Sequence, residues 1–149
     1  MNANVKQAFN DLIRSISLFE IVTISLASRR FGNPISDAEL NVTWKQALAD
    51  GDPQKSEDGH IVFRFKFETE IRQRDHRIFE HVSEFALTFT LEDESIFDTL
   101  WQDSEIQKIF LGEQVTHTVW PIFRQHIIDG MTRLSLKPIT LPWLFKSAI

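Results

Sequence analysis

Histidine is the residue type in this chain best suited to acid–base catalysis or metal binding, and it occurs five times. No pair has the spacing of an HExxH motif or of another close set of metal ligands. His81 alternates with Phe79 and Phe85, so it is either a hydrogen-bonded core histidine or a residue at a strand end. The spacing therefore indicates no catalytic or metal centre. The five residues are His60, His76, His81, His117 and His126.

Four glutamates, Glu68, Glu70, Glu80 and Glu84, form the second group with potential chemistry. They fall on the polar faces of two predicted strands, where a solvated surface crossed by ion pairs is expected. A docking site for a basic partner is the alternative. The chain has no cysteine, no GxSxG motif and no glycine-rich phosphate loop. We therefore predict a protein that is not an enzyme and binds no metal or cofactor.

Length and charge narrow the class of protein further. The 149 residues predict a single domain spanning residues 1–149. A net charge of −5 at pH 7 argues against a nucleic-acid partner. No run reaches the roughly 18 apolar residues of a membrane span, and Asp11, Arg14 and Glu20 interrupt any signal-peptide core. We expect a cytoplasmic protein without membrane insertion.

The N-terminal part predicts a helix and two strands. Apolar residues at helical spacing predict a helix over residues 3–16 that either docks on the domain or contacts a partner. Residues 18–27 form a strand that is apolar on both faces, and the second face needs a cover that another subunit could supply. A crossover loop follows, and then Leu40, Val42 and Trp44 alternate with polar residues along a second strand.

The clearest pattern is a hairpin of two long strands. Residues 60–71 alternate phenylalanines with charged side chains, and residues 78–91 do the same after a charged turn at residues 72–77. The two strands should pair in an antiparallel arrangement. Arg64 and Lys66 would then lie across from Glu80 or Glu84.

The C-terminal part predicts helices. Residues 93–102 are interpreted as a loop, and a short helix at 103–111 should end at Gly112. A longer helix follows over residues 113–133, with a kink or a fresh start at Pro121. Pro138 should extend the chain before a short final helix.

The order of these elements predicts an α+β fold. We expect a four-stranded antiparallel sheet with C-terminal helices packed on one side, plus an extra N-terminal helix. The chain contains 13 Phe, 4 Trp and no Tyr, so its aromatic residues are almost purely apolar. They offer more apolar surface than one sheet can cover, which indicates an oligomer interface or a binding groove.

Three segments resemble the SecB protein-export chaperones and their SecB-like relatives. "FEIVTISLASRRF" is similar to the family's first strand, and "ELNVTW" to its second strand after the crossover loop. "VWPIFRQHIIDGMTRLSLKPITLPWLF" resembles its proline-containing helix, the connection after it and its final helix. The matching positions in this last segment are Pro121, Arg124, Ile127, Met131, Leu134, Leu136, Pro138, Leu144 and Phe145.

The resemblance implies an ATP-independent holdase that binds unfolded chains in apolar grooves and assembles as a homotetramer, a dimer of dimers. Its client would be an unfolded preprotein in protein transport or the antitoxin of a toxin–antitoxin system. The matching groove positions would be Leu40, Val42, Trp44, Leu141, Leu144 and Phe145, and Trp143 is added from its position alone.

One departure bears on the partner. Family members that dock the translocase motor ATPase carry carboxylates late in the first strand and just after it. Here that stretch reads "ASRRFG", and its basic Arg29 and Arg30 would oppose such docking. Two other interpretations remain open: a non-chaperone oligomeric interaction module, and a binder of small apolar molecules in a phenylalanine-lined cavity.

Overall fold

The computed structural model describes residues 2–49 and 53–139. They form five strands and four α-helices, with a π-helical segment, Phe110–Val115, between the third and fourth helices. The strands are β1 (Ile16–Arg30), β2 (Asn41–Leu48), β3 (Gln54–Lys55), β4 (His60–Gln73) and β5 (His76–Leu91), and the helices are α1 (Ala3–Arg14), α2 (Glu94–Trp101), α3 (Ser104–Ile109) and α4 (Thr116–Arg133).

The sheet is antiparallel and its strand order is β1-β5-β4-β2. The predicted hairpin is confirmed, since β4 and β5 pair over their whole length around a turn at Arg74 and Asp75. Both turn residues have positive φ, which fits a two-residue hairpin connection. The two-residue strand β3 also pairs with β4.

One face of the sheet carries the core. The alternation along β4 and β5 points Phe63, Phe65, Phe67, Phe79 and Phe85 to the side that the helices cover, and each is at most 1% exposed. The N-terminal helix α1 packs against α2, α3 and β1, and Leu12 is fully buried. Of the two expected roles for this helix, the structure therefore shows docking on the domain. The predicted α+β class is confirmed.

Helix α2 corrects the predicted loop at residues 93–102. Asp93 accepts a hydrogen bond from the Ile96 N–H and caps the first turn. Phe97 and Trp101, four residues apart, are buried on one side of the helix. The sequence therefore contains a helix cap and a pair of apolar residues at helical spacing, but the helix has only eight residues.

The predicted helix end at Gly112 is also wrong, and of the kink or fresh start expected at Pro121, the fresh start does not occur. Gly112 is buried inside the π-helical segment, which connects α3 to α4 without a break. The wider turn places Phe110 and Val115 in the core. Helix α4 begins at Thr116 and continues through Pro121.

Helix α4 lies very close to the sheet near its C-terminal end. A Cβ atom added at Gly130 would stand 2.1 Å from the Ser28 Oγ, so the glycine lets the helix approach β1. Ser28 Oγ lies 2.6 Å from His81 Nδ1, and His81 Nε2 lies 2.7 Å from Ser83 Oγ. Ser83 Oγ in turn lies 2.9 Å from His126 Nδ1 on α4. Hydroxyls and imidazoles thus alternate across the interface between sheet and helix.

Burial of this hydrogen-bonded chain favours neutral imidazoles. His81 is 0% exposed, and burial, with a smaller effect of His126, lowers its pKa from 6.5 to about 4. Burial also lowers the pKa of His126, against an opposing effect of Asp129. Between pH 6.5 and about 4, His81 of the unfolded chain therefore binds a proton more readily than His81 of the folded chain does.

We predict that His81 makes the fold less stable as the pH falls from 6.5 to about 4. Its full contribution over that window is about 3 kcal/mol, and it adds no further loss below the lower limit. Urea unfolding at several pH values would measure it in the wild type and in His81→Gln, whose amide can bond both serines without ionising. The wild type should lose more stability across the window. Equal losses in the two proteins would contradict a buried, neutral His81.

Candidate binding groove

A row of apolar side chains follows the helix-covered face of the edge strand β2. Register with β4 places Val42 opposite Ile71 and Trp44 opposite Thr69, both of which face the helices. Leu40 is 40% exposed and Val42 37% exposed, although both lie on the core side. The Trp44 ring packs on Trp120 of α4, with 5.0 Å between the ring centroids. The structure thus brings the three predicted groove residues of this strand into one row.

A pocket of about 330 Å³ lies at the Leu40 end of this row. The crossover segment between β1 and β2 forms one side, and the connection after α4 forms the other. Ile71, Ile78 and Met131 contribute further apolar walls. The lining consists of Pro34, Ala38, Leu40, Ile71, Gln73, Ile78, Met131, Leu136, Lys137, Pro138 and Ile139.

Gln73 is the residue of this pocket that sequence reasoning missed. It is 2% exposed at the end of β4. Its Oε1 accepts from the Ile35 N–H at 2.7 Å, and its Nε2 donates to the carbonyls of Ile35 at 3.2 Å and Ala38 at 3.1 Å. The only signal in the sequence was a polar residue at a position where the alternation of β4 predicts a core side chain.

The C-terminal half of the predicted groove cannot be placed. Leu141, Trp143, Leu144 and Phe145 lie outside the described residues, so their role stays a prediction. Ile139, the last described residue, lines the pocket and packs against the core.

A second apolar surface lies along β1, which among the described residues pairs only with β5. Leu18, Phe19, Val22, Ile24 and Leu26 are between 42% and 62% exposed, and we call them the edge patch. The register with β5 shifts once at Phe19 and once at Ile24, so these two residues have no partner in the β1–β5 pairing. The strand that the sequence predicts to be apolar on both faces is therefore open to solvent.

The outer face of the sheet is charged and internally paired. Arg64 Nη2 lies 2.7 Å from Glu84 Oε1, and Lys66 lies opposite Glu84 in the register, as the sequence predicts. The Lys66 ammonium forms its ion pair with Glu68 on its own strand, at 3.2 Å. The Lys45 ammonium, 3.0 Å from Glu68, is the main cause that lowers the pKa of this carboxyl. Exposed pairs of this kind contribute about 0.2–1 kcal/mol each. The interpretation as an ion-paired surface fits this face.

The remaining histidines do not converge on a site. His60 stacks on Phe19 with 4.6 Å between ring centroids, and His117 Nδ1 donates to the Glu113 carbonyl. In the described part of the chain, no three side chains of His, Asp or Glu are placed to hold a metal ion. Nor does any helix among residues 2–49 and 53–139 combine the length and apolarity needed to cross a membrane.

The two arginines of the "ASRRFG" stretch have different surroundings. Arg29 is exposed, with its guanidinium 5.4 Å from the Phe31 ring centroid. Arg30 instead donates to the carbonyls of Leu134 at 2.8 Å and Ser135 at 3.2 Å, just past the end of α4. It also donates to the Gly32 carbonyl. Arg30 thus joins the end of β1 to the end of α4.

No protein-family model matches the chain, and no curated protein matches it. Among solved structures, a SecB-like chaperone from Mycobacterium tuberculosis, in complex with a ChAD peptide from an antitoxin, has a TM-score of 0.69 at 18% identity. The match covers 95% of this chain and 99% of that chain.

A second solved structure, a protein of unknown function from Streptococcus agalactiae, has a TM-score of 0.40 at 12% identity. It covers 86% of this chain and 97% of the other, and at this similarity it supports no conclusion. The mycobacterial structure confirms the fold that the sequence resemblance implies: this chain has a divergent form of the SecB-like fold.

Proposed function

We propose that this protein is an ATP-independent holdase, active in the cytoplasm, that binds apolar segments of unfolded or aggregation-prone chains. The observation that carries the proposal is the row of Leu40, Val42 and Trp44 with the pocket at its end. These side chains lie on the core side of the sheet, yet the helices leave Leu40 and Val42 more than a third exposed. An apolar surface of this kind is expected to be covered by another chain.

The chemistry of the groove favours an extended apolar segment. Among the described residues, β2 pairs only with β4, so the backbone groups along its other edge are open to a partner. Burial of one Leu or Phe side chain stabilises a complex by about 1.5–3 kcal/mol. That is less than the roughly 4 kcal/mol of a millimolar complex. A useful holdase therefore needs several such contacts, which act together when one client wraps around several copies.

The edge patch supports self-assembly, and we propose that a second copy of this chain covers it. Five large apolar side chains stand on a strand whose outer edge is unpaired in the described structure. Charged side chains or proline usually protect such an edge, whereas this one offers Val22, Ile24 and Leu26. Assembly into a dimer of dimers would bring four grooves within reach of one client.

An antitoxin is the client class that we favour. The similar mycobacterial chaperone is bound to an antitoxin peptide, which supports a client of that kind here. Arg29 is exposed where translocase-docking relatives carry carboxylates, so docking to that ATPase is not part of the proposal. Export of an unfolded preprotein is the less favoured role.

The edge patch also favours a second candidate, a non-chaperone module whose apolar surface is consumed by self-assembly. A hydrophobic dye distinguishes the two, because a module that has buried all its apolar surface leaves none for the dye. Light scattering would establish the assembly on the same sample.

We predict that the wild type, without ATP, suppresses the light scattering of a chemically denatured client. Val42→Glu places a carboxylate in the groove and should weaken binding of an apolar peptide about tenfold or more, a loss of about 1.4 kcal/mol. Ala47→Glu is the matched control, since it adds the same charge to the outer face of β2, opposite Lys66. Circular dichroism would check that both variants fold.

Two results would contradict the holdase proposal. One is client scattering that stays unchanged at a stoichiometric excess of the wild type. The other is equal peptide affinity in Val42→Glu and Ala47→Glu, which would show that the row on β2 does not contact the client.

We further predict that Ile24→Lys reduces the mass measured by light scattering after size exclusion. It replaces an apolar side chain of the edge patch, 44% exposed, with a charge. Ser25→Lys adds the same charge one residue later, opposite Glu84 and without loss of apolar area, and should keep the wild-type assembly. A monomeric wild type, or equal dissociation of both variants, would contradict the proposal that a second copy of the chain covers the edge patch.

A further inference from the structure

The crossover segment, residues 31–40, forms a wall of the pocket without being part of the sheet. Its beginning is anchored by the bond from the Phe31 N–H to the Ile78 carbonyl and by the contacts of Arg30. Among residues 2–49 and 53–139, the hydrogen bonds that join residues 34–38 to the sheet all come from the Gln73 side chain. The position of this wall therefore depends on one amide group.

The amide of Gln73 has no donor left for a ligand. Its two N–H groups are directed to the carbonyls of Ile35 and Ala38, and its oxygen accepts from the Ile35 N–H. The side chain borders the pocket but is 2% exposed. A ligand consequently meets apolar walls, and Lys137 is the one charged group among the described residues of the lining.

If the Gln73 amide were removed, the backbone of the crossover segment would lose its hydrogen bonds to the sheet. Asp37, inside it, has a φ of 64°, a conformation that a residue with a side chain adopts at some cost. Ile35 is 36% exposed, so little burial holds the segment down. Because the Ile35 N–H and the Ala38 carbonyl would be left unpaired, the segment would move outward to find water.

We propose that Gln73 is a positioning residue that latches the crossover segment and thereby sets the size of the side chain that the pocket accepts. The inference rests on the proposed client-binding function and concerns its specificity. A pocket of about 330 Å³ is at the lower limit of ligand pockets, and it accommodates one bulky apolar side chain of a client segment. When the wall is held in place, a client side chain that fills the pocket binds more tightly than a small one. When the wall is released, the difference in affinity between large and small side chains becomes small.

Gln73→Met tests the latch, because methionine keeps the length of the side chain and removes all three hydrogen bonds. Gln107→Met is the matched control, since it removes the bond from Gln107 Nε2 to the Trp101 carbonyl outside the pocket. Hydrogen exchange of the Ile35 amide reports the latch itself. Labelled peptides of Gly-Ser-Xaa repeats, with Xaa as Ala or Leu, report the specificity.

The wild type should bind the Leu peptide about tenfold or more tightly than the Ala peptide, as burial of one such side chain implies. Gln73→Met should exchange the Ile35 amide at least about tenfold faster and discriminate less than about threefold, while circular dichroism still shows the wild-type fold. The tenfold change in exchange corresponds to about 1.4 kcal/mol. Gln107→Met should behave as the wild type in both measurements.

Three outcomes separate the possible failures. Unchanged exchange of Ile35 in Gln73→Met overturns the latch, and faster exchange with full discrimination between the peptides overturns the role of the latch in specificity. If Gln73→Met does not fold, Gln73→Glu takes its place, because its carboxylate faces the carbonyls of Ile35 and Ala38 and must release at least the latter. A wild type that binds neither peptide overturns the proposed function, and with it the specificity assigned to Gln73.

Discussion

The close approach of α4 to the sheet is the constraint on which the rest of the structure depends. Gly130 lets the helix lie against Ser28 without a side chain between them, and the imidazoles of His81 and His126 continue that contact through Ser83. Arg30 joins the last carbonyls after α4 to the end of β1. Since α4 carries Trp120 and Met131, its position fixes both the tryptophan end of the groove and the back of the pocket.

Alternation made the sheet predictable. Each strand of the central hairpin places phenylalanine on one face and charge on the other, so a shift by one residue would expose the core. The same reasoning placed Leu40, Val42 and Trp44 on one face of β2. It could not show that the helices leave this edge partly open, because that depends on where α4 packs rather than on the strand itself.

Short or irregular elements were less predictable. Helix α2 has a cap at Asp93 and a buried pair at Phe97 and Trp101, but eight residues give little periodicity. Gly112 was interpreted as a helix end, yet its burial in a π-helical segment depends on contacts with distant residues. The bonds from Gln73 to Ile35 and Ala38 span more than thirty positions of sequence, and no local pattern indicates them.

The pair of Trp44 and Trp120 has a practical consequence. The chain has no tyrosine, so its intrinsic fluorescence comes from indole groups alone. Trp101 lies among the rings of Phe63, Phe97 and Phe110 in the core, whereas Trp44 is partly open at the groove, 5.0 Å from Trp120. Occupation of the groove should alter the emission of Trp44 and Trp120 and leave that of Trp101 unchanged. The protein thus carries an intrinsic fluorescent reporter of its own binding surface.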